Sequence, residues 1–199
     1  MDKIRSNFEL YKEYIKKQLD KLEDETSLNE IISNINLKHD SNIFIIGNGG
    51  SAANASHFAQ DLVKGTFLEK HGLRDTTTPS IKAMSLCDNT SFITATANDD
   101  GYQYIFTNQL KSLATPGKDI LIIISGSGNS ENVINAAQWA IKNNILVISF
   151  TGFDGGIVKR LSDINFNVNL DDMLAVETIH SFMFHYIIEQ IKYLRYENV

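Results

Sequence analysis

The chain of 199 residues is short of several things, and each shortage excludes something. A single cysteine, Cys87, rules out an internal disulfide framework and fits a reducing compartment. Only two prolines beside 43% apolar residues argue for a compact globule rather than a disordered chain. No apolar run approaches the ~20 residues of a membrane helix, so no membrane partner is expected. The opening stretch, Met1 to Tyr14, is polar and mixed in charge. It does not read as a signal peptide, and a cytoplasmic location is the expectation. A net charge of −6 disfavours a general grip on nucleic acid. There is no internal repeat and no low-complexity tract.

What is present centres on IFIIGNGGSAANASHFAQDL, from Ile43 to Leu62. The apolar run Ile43–Ile46, bounded by glycine, predicts a buried strand. Gly47, Gly49 and Gly50 let the backbone turn sharply and approach a ligand closely. Ser51 is placed to cap a helix running through Leu62. A strand, a Gly-rich turn and a helix N-terminus make an anion site, because free N–H groups and the helix dipole favour negative charge. The same residues also serve as a tight turn with no ligand. They match neither a P-loop nor G-x-G-x-x-G. Along the helix, His57 and Asp61 are four apart and share a face, as an ordinary helix pair or as two ligands of one metal ion.

Residues 1 to about 40 read as helical. Ile4, Phe8, Tyr11, Ile15, Leu19 and Leu22 form an apolar stripe at steps of three and four. Ser27 and Glu30 carry the capping-box spacing and open a second helix with Ile31, Ile32 and Ile35. The first helix packs either on its own core or on a neighbouring subunit. Lys64 to Pro79 reads as a loop or broken helix, and Ser80 to Leu86 as a short strand. Asp88 to Thr96 reads as a helix ended by Asn98-Asp99-Asp100-Gly101, with a further helix from Tyr102 to Leu113.

Asp119 to Ile124 (DILIII) predicts a strand buried on both faces. It runs into Ser125-Gly126-Ser127-Gly128-Asn129-Ser130 and a helix from Glu131 to Lys142. This second strand, turn and helix offers hydroxyls and free N–H groups that suit a phosphate. Ile145–Thr151 and Ile164–Val168 are further strands, with a helix to Leu161 between them. Alternating strands and helices predict an α/β fold: a three-layer α/β/α sandwich around a parallel sheet, preceded by the N-terminal helices. Ligands of such folds lie beyond the C-terminal ends of the strands, where both turns fall. On the last helix, Ala175 to Tyr193, Glu177, Ser181 and His185 share a face, with His180 close to it. Together His57, Asp61, Glu177 and His185 have the composition of a zinc site.

GNGGSAANASHFAQDL, ATANDDGY, ISGSGNSENVINAA, TGFDGG and VETIHSFMFH, in that order, resemble the sugar isomerase (SIS) domain family, nearest its phosphoheptose isomerase branch. The resemblance spans nearly the whole chain and implies one SIS domain over residues 1–199. It implies a homotetramer, with residues 1–40 in oligomer contacts and sites at subunit interfaces. The implied reaction turns sedoheptulose 7-phosphate into D-glycero-D-manno-heptose 7-phosphate for bacterial surface polysaccharide. Asn48, Gly49, Gly50 and Ser51, with Asn98 and Asp99, match substrate-contacting positions. Ser125, Ser127 and Ser130 match phosphate-binding hydroxyls, with Gly126 where the family usually has threonine. His57, Asp61, Glu177 and His185 match the metal positions, with one zinc per subunit expected.

Two metal positions depart from the family, which usually has glutamate at Asp61 and glutamine at Glu177. Aspartate reaches less far, and Glu177 adds a charge. Two carboxylates with two neutral imidazoles would formally neutralise Zn²⁺, tightening its binding and weakening its pull on a carbonyl. Asp61 and Glu177 also count among the substrate-binding residues. Asp61 and His185 match the family's acid–base pair, and Glu177 is the alternative base. Two other readings stand beside this one: an isomerase of another sugar phosphate, and a non-catalytic SIS protein that binds a partner. The acid and histidine set favours catalysis, since a pure binding protein has no need of it.

Overall fold

A computed structural model describes residues 7–38, 40–66, 69–70, 73–74 and 80–197. Ile4 of the expected stripe, and residues 67–68, 71–72 and 75–79 of the expected loop, lie outside the described residues. Two helices lead: α1 (Phe8–Leu19) and α2 (Glu25–Leu37). α2 starts earlier than the capping-box spacing suggests. Asp24 is its N-cap, and its carboxylate accepts the Ser27 N–H at 3.1 Å. α1 buries none of its residues fully, whereas α2 buries Leu28, Ile31, Ile32 and Ile35.

β1 (Asn42–Gly47) leads into α3 (Gly50–Gln60), followed by a π-helical turn, Asp61–Gly65. The short strands β2 (Glu69–Lys70) and β3 (Leu73–Arg74) pair antiparallel. β4 (Lys82–Ser85) and α4 (Thr90–Asp99) follow. The expected helix from Tyr102 is divided into a 3-10 turn, Tyr102–Tyr104, and α5 (Thr107–Leu113). β5 (Ile120–Ser125), α6 (Glu131–Lys142), β6 (Leu146–Gly152), α7 (Gly156–Leu161) and β7 (Ile164–Val168) then alternate. α8 (Met173–Glu197) closes the chain, 25 residues long and extending past both expected ends.

The main sheet is parallel in the order β4-β1-β5-β6-β7. β5 is buried along its whole length, and its side chains divide by alternation. Ile120, Ile122 and Ile124 face one core, built with α2, α3 and α8 through residues such as Ile31, Phe58 and Ile187. Leu121 and Ile123 face the other, built with α5, α6 and α7 through Leu110, Ala136 and Val158. The expected three layers are thus present. Each fully buried isoleucine contributes about 1.5–3 kcal/mol of burial free energy, so the sheet is a stiff platform for its loops.

The chain passes from β1 outward to β4, then returns to place β5 on the other side of β1. The crossovers from β1 and β5 accordingly reach opposite faces of the sheet. That divergence opens a crevice at the C-terminal ends of the two strands, the place where α/β sheets take ligands.

Candidate active site

Both turns leave the sheet side by side, since Gly47 of β1 pairs with Ile124 of β5. The first turn depends on Gly49, whose φ of 56° and ψ of −124° start α3 at Gly50. Glycine takes that conformation at little cost, so Gly49 rather than Ser51 is the N-cap. Ser51 is buried within the first helical turn. Neither the α3 cap nor Ser130, the α6 cap, bonds a first-turn N–H through its side chain. The Val133 and Ala52 N–H groups are taken, by Asn132 Oδ1 and the Gly49 carbonyl, and those nearer each helix start are left for a ligand.

One cleft of about 230 Å³ collects most of the expected binding residues. Asn48, Gly49, Gly50 and Ser51 line one side, and Ser125, Gly126, Ser127 and Ser130 the other. Glu177 enters from α8, and its carboxylate rests on Gly50, where a Cβ would collide with it. A negative group on the first residue of α3 suits the helix dipole. The Asn54 side chain donates to the Glu177 carbonyl at 3.0 Å and ties α3 to α8. In the second turn, Ser125 Oγ accepts the Gly128 N–H at 3.2 Å, and Ser127 Oγ accepts the Asn129 N–H at 3.3 Å. Both hydroxyls thereby keep their hydrogens for another acceptor.

His57, Asp61 and His185 converge elsewhere on α3 and α8. One ligand atom from each lies within 4.8 Å of the other two. Asp61 Oδ2 is 3.2 Å from His57 Nε2 and 3.7 Å from His185 Nε2. The imidazole rings meet edge-on, 5.1 Å apart. Two imidazole nitrogens and a carboxylate oxygen are donors that zinc accepts, and the half-exposed rings leave room for further ligands. The donor set therefore fits a zinc ion. Asp61 sits where α3 passes into the π-helical turn, a distortion that tends to mark functional sites.

Glu177 is not in that trio. Eight residues of α8 separate it from His185, about 12 Å of helix rise. His180 lies apart again, fully buried, with Nε2 3.1 Å from the Thr151 carbonyl. Burial pushes its pKa down to about 4 against the opposing pull of that carbonyl, so the ring is neutral. Asn98 and Asp99 end α4 on the surface, where Asn98 Nδ2 donates to Asp99 Oδ1 at 2.7 Å. They are not among the cleft walls.

Sequence reasoning missed three residues here. Met173 lines the cleft and fills the space beside Gly126 that a larger residue would take. Tyr102 and Asn132 hydrogen-bond Asn48. Asn132 and Tyr102 sit inside recognised motifs, but no local spacing announced their partner.

A parallel sheet, a topological switch point and a cleft walled by two helix N-termini define an α/β protein built to bind an anionic small molecule. A family model described as SIS domain matches residues 9–152. Phosphoheptose isomerase of Helicobacter pylori (strain P12) is 37% identical over 191 residues, 96% of this chain and 95% of that protein. The structure of a phosphoheptose isomerase from Francisella tularensis superposes with a TM-score of 0.80 at 26% identity, covering 96% of this chain and 97% of that one. That of the phosphoheptose isomerase from Neisseria gonorrhoeae gives 0.74 at 30% identity, over 88% and 89%. The chain belongs to the SIS domain family, in its phosphoheptose isomerase branch, and is an enzyme of the sugar-phosphate isomerase class.

Proposed function

We propose that the enzyme converts sedoheptulose 7-phosphate to D-glycero-D-manno-heptose 7-phosphate by proton transfer between C1 and C2 through an enediol. The observation that carries this reading is the cleft in which two helix N-termini, four serines and the Glu177 carboxylate meet. In this reading the turn from Ser125 to Ser130 holds the phosphate. Its hydroxyls and N–H groups donate to the phosphate oxygens, far from the reacting carbons, and that remote binding positions the sugar. Asn48, Gly49, Gly50 and Ser51 face the sugar end, whereas Asn98 and Asp99, expected to contact the sugar as well, lie outside the walls of this cleft.

Asp61, His185 and Glu177 are the candidates for moving the proton. Glu177 is the carboxylate that lines the cleft, and Asp61 with His185, 3.7 Å apart, matches the family's acid–base pair. His57, Asp61 and His185 would hold a zinc ion, while Glu177, the fourth position by family resemblance, stands two turns away along α8 and is kept here as a candidate base. Bound there, zinc supplies a Lewis acid toward a carbonyl oxygen. A tetramer with shared sites, a cytoplasmic location and a place in surface-polysaccharide synthesis complete the proposal. Among the described residues, no helix is long and apolar enough to cross a membrane.

The test is an assay of zinc-loaded protein with a panel of ketose phosphates, following aldose formation. Heptose phosphate formed faster than any other aldose is the expected result. Preference for a different ketose phosphate would keep the chemistry and replace the substrate. No turnover of any panel member would overturn the reading.

A further inference from the structure

Asn48 stands in the wall of the cleft with its side-chain amide held by two other residues. Its Nδ2 donates to Asn132 Oδ1 at 2.9 Å, and Asn132 Nδ2 donates back to Asn48 Oδ1 at 2.9 Å. The two amides form a closed reciprocal pair between the turn after β1 and the first turn of α6. Asn132 is only 2% exposed. Its Oδ1 also accepts the backbone N–H of Val133 at 3.0 Å. A backbone N–H can only donate, so this bond decides which end of the Asn132 amide is oxygen. That in turn decides the Asn48 amide: its oxygen must face Asn132 Nδ2. The Tyr102 hydroxyl donates to the same Asn48 oxygen at 2.9 Å.

The lone pairs of Asn48 Oδ1 are therefore both engaged, by Asn132 and Tyr102. Its Nδ2 spends one hydrogen on Asn132 and keeps a second, which the planar amide directs away from the first. We propose that Asn132 and Tyr102 are positioning residues that lock Asn48 as a hydrogen-bond donor toward an oxygen of the substrate. A sugar hydroxyl, a carbonyl or a developing oxyanion can accept that bond, whereas a group with only hydrogens to offer cannot. The amide pair also links the two turns, so the anchor for the phosphate and the wall for the sugar keep a fixed separation. The proposal rests on the reading of this cleft as the sugar-phosphate site.

The experiment compares kcat and KM for sedoheptulose 7-phosphate, with thermal unfolding of each protein. The set is the parent, Asn132→Ala, Tyr102→Phe, Asn48→Ala, and the doubles that combine Asn48→Ala with each of the others. Asn132→Ala should lose about 10- to 100-fold in kcat/KM, mostly in kcat, the scale of a misplaced contact. Tyr102→Phe removes one hydrogen bond from an exposed position and should lose about 3- to 10-fold with its unfolding midpoint unchanged. Both penalties should vanish when Asn48 is already alanine, because the residues act through it. A packing role would instead leave each penalty undiminished in the double, and that result overturns the proposal. So does kcat/KM within twofold of the parent for Tyr102→Phe and Asn132→Ala. Asn48→Asp keeps the shape but turns the donor into an acceptor, and full activity there would also refute the donor role. Full activity of Asn48→Ala is a separate result, and it would overturn the assignment of the cleft itself.

Discussion

Replacing Gly128 with alanine tests whether the second turn is held by backbone packing. Gly128 has a φ of +62°. A Cβ there would collide with the Gly155 carbonyl oxygen, lie 2.7 Å from its carbon and 3.3 Å from Gly156 Cα. All of these are main-chain atoms, so no flexible side chain can give way. The Gly128 carbonyl also accepts the Val158 N–H at 3.0 Å, which ties the turn to α7. The left-handed conformation costs alanine about 1–2 kcal/mol. Crowding a packed site costs a further ~1–3 kcal/mol, for a total of about 2–5 kcal/mol. Gly117 is the matched control, with φ of +71° and open space around its missing Cβ, so Gly117→Ala should show only the conformational cost. Urea unfolding followed by circular dichroism gives both losses. On heating, the Gly128→Ala midpoint should fall by about 4–20 °C, at ~2–4 °C per kcal/mol for a chain of this size. Equal losses for the two variants would refute the packing argument, because conformation alone would then account for Gly128.

His180 sets a pH dependence. Its pKa is lowered to about 4 in the fold from 6.5, so between those values the unfolded chain binds a proton that the folded chain does not. Its contribution is therefore complete above the unfolded value and is lost as pH falls toward the folded one, by an amount on the order of 3 kcal/mol. Urea titrations at neutral and mildly acidic pH should show this slope flattened in His180→Gln, and an unchanged slope would exclude His180 as its source. Ser127→Ala and Ser130→Ala should each weaken sugar-phosphate binding by about 1–3 kcal/mol, measured by calorimetry. Unaltered affinity in both would remove the phosphate from this turn. His57→Ala and His185→Ala should retain the fold and lose zinc in metal analysis, since both rings are half exposed and outside the core. Full zinc in both variants would place the metal elsewhere. Light scattering should give a tetramer, and an active monomer would rule out sites shared between subunits.

Much of this fold is legible in short stretches of the chain. DILIII became β5 because a two-faced apolar run is stable only inside a covered sheet. The bounds of α6 follow from the Ser/Gly turn before it, and both anion turns are written in consecutive residues. Capping was less legible, because several side chains compete for one helix start. Asp24 rather than Ser27 bonds a first-turn N–H of α2, and Gly49 begins α3 ahead of Ser51. The helix expected from Tyr102 is interrupted, with the Tyr102 hydroxyl bonded to Asn48, 54 residues earlier. The Asn48–Asn132 pair spans 84 residues, and no periodicity encodes it.

The sequence by itself determined which side chains share a face: His57 with Asp61, and Glu177 with His185. Helical spacing alone requires those pairings. Only the tertiary structure decided which pairs meet. Phe58 and Phe184 stack with ring centroids 4.5 Å apart, each beside one of the histidines in the chain. That buried contact brings His57 and His185 together around Asp61, while eight residues of rigid helix keep Glu177 two turns away on Gly50. The spacing along a helix is fixed by its hydrogen bonds, but the meeting of two helices is fixed by the side chains packed between them.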